Sequence, residues 1–243
     1  MQKDTENWYS SWFDTPYYHI LYKNRDFKEA GDFMENLTSF LKLPKHAEIL
    51  DLACGKGRHA KYLNDLGYSV TGVDLSPKSI AFAKQFENLS LHFFEHDMCL
   101  PFSKRFDAVF NLFTSFGYFE NEEDNLKTIK AIKEELKEEG FGVIDFLNVE
   151  YVRQHLVTSE IKVVDGITFH VKRKIEEGYI IKDIKFSHNN NDYSFTERVK
   201  AITLSHFEAY FKDANIQLKY CFGNYQLNDF CEETSERLIL IFK

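Results

Sequence analysis

Residues 47–60 read A-E-I-L-D-L-A-C-G-K-G-R-H-A, a short apolar run that ends in Asp51 and enters a turn bracketed by Gly55 and Gly57. Ile49, Leu50 and Leu52 suit a strand buried in a parallel sheet. The two glycines permit a sharp turn and a close ligand approach that a Cβ would obstruct. Arg58 to Leu66 then has the character of a helix, closed by Gly67. Strand, glycine turn and helix leave backbone N–H groups and a helix N-terminus free at a strand end, the setting of a nucleotide-sized pocket. Gly55-Lys56-Gly57-Arg58-His59-Ala60 also satisfies G-x-G-x-x-A, so the glycines do not choose between a nicotinamide dinucleotide and another adenosine cofactor. Asp51 discriminates better, because a carboxylate at that strand end repels a pyrophosphate dianion and suits a cationic ligand.

Downstream the logic repeats. Tyr68 to Leu75 is a second strand, ending in Asp74, where an acidic residue is placed to accept hydrogen bonds from a ribose diol. Ser76 caps a helix that starts at Pro77. Leu89 to His96 is a third strand closing in Asp97-Met98, and Phe106 to Phe113 a fourth. A helix from Glu122 to Glu139 follows, its buried stripe marked by Leu126, Ile129, Ile132 and Leu136, and Phe141 to Leu147 is the fifth strand. From Tyr151 the period changes to alternation over 161–174, 179–188 and 193–203, which predicts antiparallel strands inserted before a helix at 205–214. Strands at 216–222 and 237–242 complete the sheet. Upstream, residues 1–26 form an aromatic arm containing Trp8, Tyr9, Trp12, Phe13, Tyr17, Tyr18 and Tyr22, either packed on the domain or closing over the pocket as a lid. A helix at 26–43 joins it to the sheet.

The chain has 243 residues, a size at which an α/β protein remains one domain. A net charge of −8 with no Lys/Arg block argues against affinity based on nucleic-acid phosphates. Cys54, Cys99, Cys221 and Cys231 show no C-x-x-C spacing, so reduced, cytoplasmic thiols are expected, without a disulfide framework or zinc site. No signal pattern or membrane-length apolar run is present. His92 and His96 suggest a metal pair, but four residues along a strand span about 13 Å, too far for one ion. No metal is expected.

D-L-A-C-G-K-G at 51–57, V-D-L-S at 73–76, H-D-M at 96–98 and F-D-A-V-F-N-L-F at 106–113 together resemble the class I S-adenosylmethionine-dependent methyltransferase superfamily, over nearly the whole chain from Phe27. The resemblance implies a Rossmann-like, doubly wound α/β sheet of seven strands in the order 3-2-1-4-5-7-6 with the last strand antiparallel. It also implies one methyltransferase domain over 1–243 and an antiparallel β-insertion at 151–204 that helps cover the acceptor, as in amino-sugar N-methyltransferases. The cofactor would be S-adenosyl-L-methionine, its product S-adenosyl-L-homocysteine, and the partner a small-molecule methyl acceptor.

By position, Asp51 would face the methionine ammonium, with Ala53, Gly55 and Gly57 against the cofactor backbone. Ala53 stands where the stricter motif has glycine, a sterically mild departure. Asp74 would hold the ribose beside Leu75, Asp97 and Met98 would bracket the adenine, and Asn111, Leu112 and Phe113 would line the floor near the methyl group. Tyr22 and Phe116 offer aromatic faces to the sulfonium, and Arg25 is a partner either for the cofactor carboxylate or for Asp26 or Glu29. A general base is required only if the acceptor arrives protonated. Its candidates are His19, Tyr118 and Tyr151, with Asn148 and His155 close to the last. Two other functions stay open at this point, a nicotinamide-dependent oxidoreductase and a cofactor-binding protein without transferase activity.

Overall fold

A computed structural model of the chain describes residues 12–23 and 27–243; Trp8, Tyr9 and Arg25 lie outside the described residues. Helix α1 (Pro16–Leu21) is capped by the Thr15 hydroxyl, and α2 (Phe27–Phe40) follows. Strands β1 (Glu48–Leu52), β2 (Ser69–Asp74), β3 (Leu91–Glu95) and β4 (Phe106–Asn111) are connected by α3 (Arg58–Asp65), by α4 (Pro77–Ala83) with its short 3₁₀ extension, and by a loop. Then come α5 (Glu122–Glu135), β5 (Leu136–Leu147) and α6 (Val149–Gln154). An inserted sheet contains β6 (Ser159–Val164), β7 (Ile167–Glu176), β8 (Tyr179–His188) and β9 (Asn191–Lys200), after which α7 (Leu204–Asp213), β10 (Leu218–Phe222) and β11 (Arg237–Phe242) end the chain.

The main sheet has the order β10-β11-β5-β4-β1-β2-β3, with β11 antiparallel to both neighbours and the other pairs parallel. This is the expected 3-2-1-4-5-7-6 arrangement. One cluster, including Phe33, Leu37, Ile49, Leu63 and Phe93, packs under α2 and α3; the other, including Leu50, Phe106, Ile132, Phe146 and Phe207, packs under α5 and α7. Burial on both faces explains why β1 and β11 read as continuous apolar runs rather than alternating ones.

The helix expected to reach Glu139 stops at Glu135, and the chain enters β5 early with a register shift between Phe106↔Leu136 and Ala108↔Phe141. Strand pairing of Leu136 with Phe106 takes the place of the helix here, and the ammonium of Lys137 lies 2.8 Å from Glu48 and 2.9 Å from Asp107. The insertion also differs from its expected outline. The run at 161–174 is two strands, split by Asp165-Gly166. All three hairpins close through two-residue loops, Asp165-Gly166, Glu177-Gly178 and Asn189-Asn190, whose residues all have positive φ. That geometry matches the twist of antiparallel strands, and Asp-Gly is one of its strongest sequence signals. No described helix is long and apolar enough to cross a membrane.

Glu135 is fully buried at the end of α5, with Oε1 accepting from the Phe102 N–H at 2.8 Å and Oε2 without a partner among the described residues. Burial raises its carboxyl to about 7. A raised folded-state value means that ionisation costs stability above the unfolded value, near 4.3, and the full penalty applies once the pH exceeds 7. Glu135→Gln is therefore expected to stabilise the protein by about 1 to 2 kcal/mol at pH 8, with the difference closing toward pH 4. Denaturant melts at the two pH values check this; an equal gain at both would show that the charge is not the cause.

Candidate active site

A cavity of about 1020 Å³ opens at the C-terminal ends of β1, β2 and β4. Its floor is the turn after β1, where Ala53 (φ +65°) and Gly55 (φ +55°) both take the left-handed conformation. Alanine at 53 therefore carries about 1 kcal/mol of strain that glycine would not. The two motif glycines prove to have different duties. Gly55 lines the cavity with open space where a Cβ would point, whereas a Cβ on Gly57 would lie 2.6 Å from the Phe93 ring and 3.0 Å from the Ala83 Cβ. Gly57, which does not line the cavity, is required for packing and for its φ of +77° at the N-cap of α3.

Asp51, 4% exposed, reaches the cavity from the buried end of β1, and its Oδ2 has no hydrogen-bond partner among the described residues. Burial raises its carboxyl to about 7; the Ala60 amide at the first turn of α3 works downward, and the nearby Asp74 upward. Asp74 accepts from Gly55 N through Oδ2 and from Ser76 N through Oδ1, each at 2.8 Å, which ties the turn after β1 to that after β2. Each of its oxygens keeps lone-pair capacity for a further donor. Asp97 secures its own turn by accepting from Cys99 N at 2.9 Å. Leu75 and Leu100, although apolar, are exposed and line the cavity with Met98, an apolar slot suited to a flat base.

Asn111 does not reach the floor. It is fully buried, with Nδ2 donating to Leu52 O at 3.0 Å, and it braces β4 against β1 while Leu112 and Phe113 beyond it line the cavity. The Phe113 ring lies 4.2 Å from the His59 ring. The roof comes from the arm: Phe13, Asp14, Tyr18, His19 and Tyr22 line the cavity. Asp14 accepts a hydrogen bond from Ser76, at the cap of α4. The arm's outer side packs on the inserted sheet through Trp12 and Leu21 against Phe169, Val171 and Ile184. Glu197 of β9 accepts from Trp12 Nε1 at 2.8 Å and from the Tyr22 hydroxyl at 2.6 Å, with Lys182 3.5 Å away. No residue of 151–204 is in the cavity lining, so the insertion acts as a buttress behind the arm rather than as a direct wall.

Among the candidate bases, His19 and Tyr118 line the cavity. His19 is half-buried with Nε2 unpartnered among the described residues; burial lowers its pKa, the Lys56 charge lowers it further, and Asp14 opposes both. The Tyr118 hydroxyl donates to Thr114 O at 2.7 Å. Tyr151 lies elsewhere, its ring stacked 4.0 Å from His155 and its hydroxyl 3.3 Å from Glu236. Asn148 caps α6 and donates to Glu232 O and Ser235 O, and Phe116 is buried against Phe207; neither reaches the cavity. Lys56, Arg58, His59, Ser76 and Thr114 line it without having been singled out from the sequence. Arg58 and His59 were visible inside the glycine motif itself, whereas nothing in the chain marks Thr114. No group of three or more metal-ligating side chains occurs among the described residues.

The methyltransferase domain family profile matches residues 49–140. YqeM of Bacillus subtilis (strain 168), whose methyltransferase assignment is itself provisional, is 37% identical over 107 residues, 42% of this chain and 43% of that protein. The chain thus spans less than half the length of this relative. The dTDP-3-amino-3,4,6-trideoxy-alpha-D-glucopyranose N,N-dimethyltransferase of Streptomyces venezuelae is 26% identical over 205 residues, covering 80% of this chain and 85% of that one. The crystal structure of an S-adenosylmethionine-dependent methyltransferase from Clostridium acetobutylicum superposes with a TM-score of 0.77 at 21% identity, over 93% of this chain and 95% of that one. The family match makes residues 49–140 a methyltransferase domain segment, and the sheet order and overall architecture of the chain are those of the solved S-adenosylmethionine-dependent methyltransferase.

Proposed function

We propose that the protein methylates a small-molecule amine or hydroxyl, with S-adenosyl-L-methionine held in the 1020 Å³ cavity. The observation that carries this is the buried Asp51 carboxylate with its unpartnered Oδ2, a group matched to an ammonium and hostile to a pyrophosphate. In this reading Asp51 binds the methionine ammonium, Asp74 the ribose hydroxyls, and Leu75, Asp97 and Met98 the adenine, with Gly55 letting the cofactor approach the backbone. The cavity is at the top of the ~300–1,000 Å³ range of single-ligand sites, which suits a cofactor and a small acceptor together. The relative named for an amino-sugar substrate supports a small acceptor.

The bound sulfonium supplies an electrophilic methyl group, so the protein's task is alignment and exclusion of water. The aromatic arm provides both as a roof, with Phe13, Tyr18 and Tyr22 in the cavity lining. Held below its ordinary pKa by burial and Lys56, His19 is neutral at pH 7 and able to take a proton from an acceptor ammonium at Nε2. Tyr118 is the second group placed to contact the acceptor.

Thermal shift tests the cofactor. S-adenosylmethionine and S-adenosylhomocysteine at about a hundredfold excess over Kd are expected to add about 2.7 kcal/mol of stability, and NAD none. Stabilisation by NAD alone would overturn the reading, whereas silence across a broad panel of amines and hydroxyls in single-turnover transfer would reduce the protein to a cofactor binder.

A further inference from the structure

We propose that the buried ion pair between Asp145 and Arg237 is a positioning device for the turn after β4, holding Phe113 and Thr114 in the wall of the cavity. The proposal rests on that cavity being the cofactor site. Asp145 is fully buried two residues before the end of β5, and Arg237 is the first residue of β11. Arg237 donates to Asp145 Oδ1 through Nε at 2.8 Å and Nη2 at 2.7 Å.

What remains of both groups is directed at one turn. Asp145 Oδ2 accepts from Phe113 N at 2.8 Å, the Asp145 carbonyl accepts from Thr114 N at 3.0 Å, and Arg237 Nη2 donates to Thr114 Oγ1 at 2.9 Å. The Tyr225 hydroxyl adds a longer contact of 3.3 Å to Oδ2. Phe113 (φ +58°) and Thr114 (φ +60°) are successive non-glycine residues in the left-handed region, a conformation L residues adopt only when their surroundings enforce it. Both line the cavity, and Phe113 also supports the His59 ring.

The strands themselves do not need the pair. β5 and β11 are already joined over six register positions, from Arg237↔Leu147 to Phe242↔Gly142. A buried ion pair is also a poor source of net stability, since apolar residues of similar volume commonly serve as well. Apart from the longer Tyr225 contact, the hydrogen bonds the two side chains make beyond each other go to Phe113 N and Thr114 Oγ1, and those are what the substitutions remove.

The test compares the full chain with the double variant Asp145→Leu/Arg237→Met, using S-adenosylhomocysteine in titration calorimetry and amide hydrogen exchange. The expected result is a melting temperature near the parent's, at least tenfold weaker binding, and faster exchange at Phe113 and Thr114 with Val143 to Phe146 unchanged. Adding Thr114→Gly, which adopts the left-handed conformation without enforcement, is expected to recover at least threefold of the lost affinity. A scaffold role alone would not respond to that glycine. Binding by the double variant within twofold of the parent, or no recovery on adding the glycine, overturns the proposal. Should the double variant not fold, Arg237→Lys, which keeps the charge but not the fork that spans Asp145 and Thr114, is expected to bind at least threefold more weakly with faster Thr114 exchange; parent-like behaviour in both overturns it equally. A parent chain that binds neither S-adenosylmethionine nor its product defeats the cofactor reading itself, which is a different result from a parent that binds and a variant that matches it.

Discussion

Asp74→Ala is expected to weaken S-adenosylhomocysteine binding by about one to two orders of magnitude while leaving the sheet folded. Two losses combine. The carboxylate is the acceptor placed for the ribose hydroxyls, and hydrogen bonds to a charged group contribute about 1.5–3 kcal/mol each. It also ties Gly55 N and Ser76 N together at 2.8 Å each, so its removal loosens the turns on either side of the cofactor cleft. The fold survives because Asp74 is the last residue of β2, paired with Glu95, and the pairing of Val70 to Val73 with Leu91 to Phe94 is untouched. Asp74→Asn is expected to fall between, since an amide has one acceptor oxygen where two N–H groups now converge. Titration calorimetry with a parallel thermal melt separates affinity from stability. An alanine variant that binds within threefold of the parent would remove Asp74 from the ribose role.

The residues that could be read in advance were those whose neighbours in space are also neighbours in sequence. Asp51 and Asp74 each terminate an apolar run, and parallel pairing of β1 with β2 places the two strand ends side by side in the main sheet. The alternating strands of the insertion were legible for the same reason, although Asp165-Gly166 was passed over and two strands were merged into one. Gly55 and Gly57 were indistinguishable as letters, because what separates them is the Phe93 ring, 36 positions further on. Asn111 sits on the same apolar run as Leu112 and Phe113, and what draws its Nδ2 into the sheet is the Leu52 carbonyl, distant in sequence. Asp145 and Arg237, 92 residues apart, carry no local pattern at all. Nor did the insertion's alternation reveal that its inner face would pack on the arm instead of on a ligand, since periodicity reports that a face is buried and not what buries it.

The affinity for S-adenosylmethionine is expected to fall roughly tenfold for each pH unit below 7, through the titration of Asp51. In the free protein, burial holds this carboxyl at about 7, and the like charge of Asp74 contributes to the rise. Below pH 7 the free site is therefore mostly neutral, yet an ammonium requires the carboxylate, so binding has to expel a proton. Each further unit of acidity costs about 1.4 kcal/mol until the pH reaches the lower value that the bound ammonium imposes on Asp51. S-adenosylhomocysteine, with the same ammonium, is expected to share the slope, whereas adenosine, which lacks it, is expected to show none. Asp51→Asn is expected to bind weakly and without the slope, because an amide offers the ammonium a dipole that does not titrate over this range. Asp74→Ala adds an internal check: it removes the neighbouring negative charge, so the break in the curve moves to lower pH even as affinity falls. Calorimetric titrations in two buffers of different ionisation enthalpy count the released proton directly. A flat profile for S-adenosylmethionine from pH 5 to 8 would mean that Asp51 meets no ammonium, and the unpartnered Oδ2 would then need another explanation.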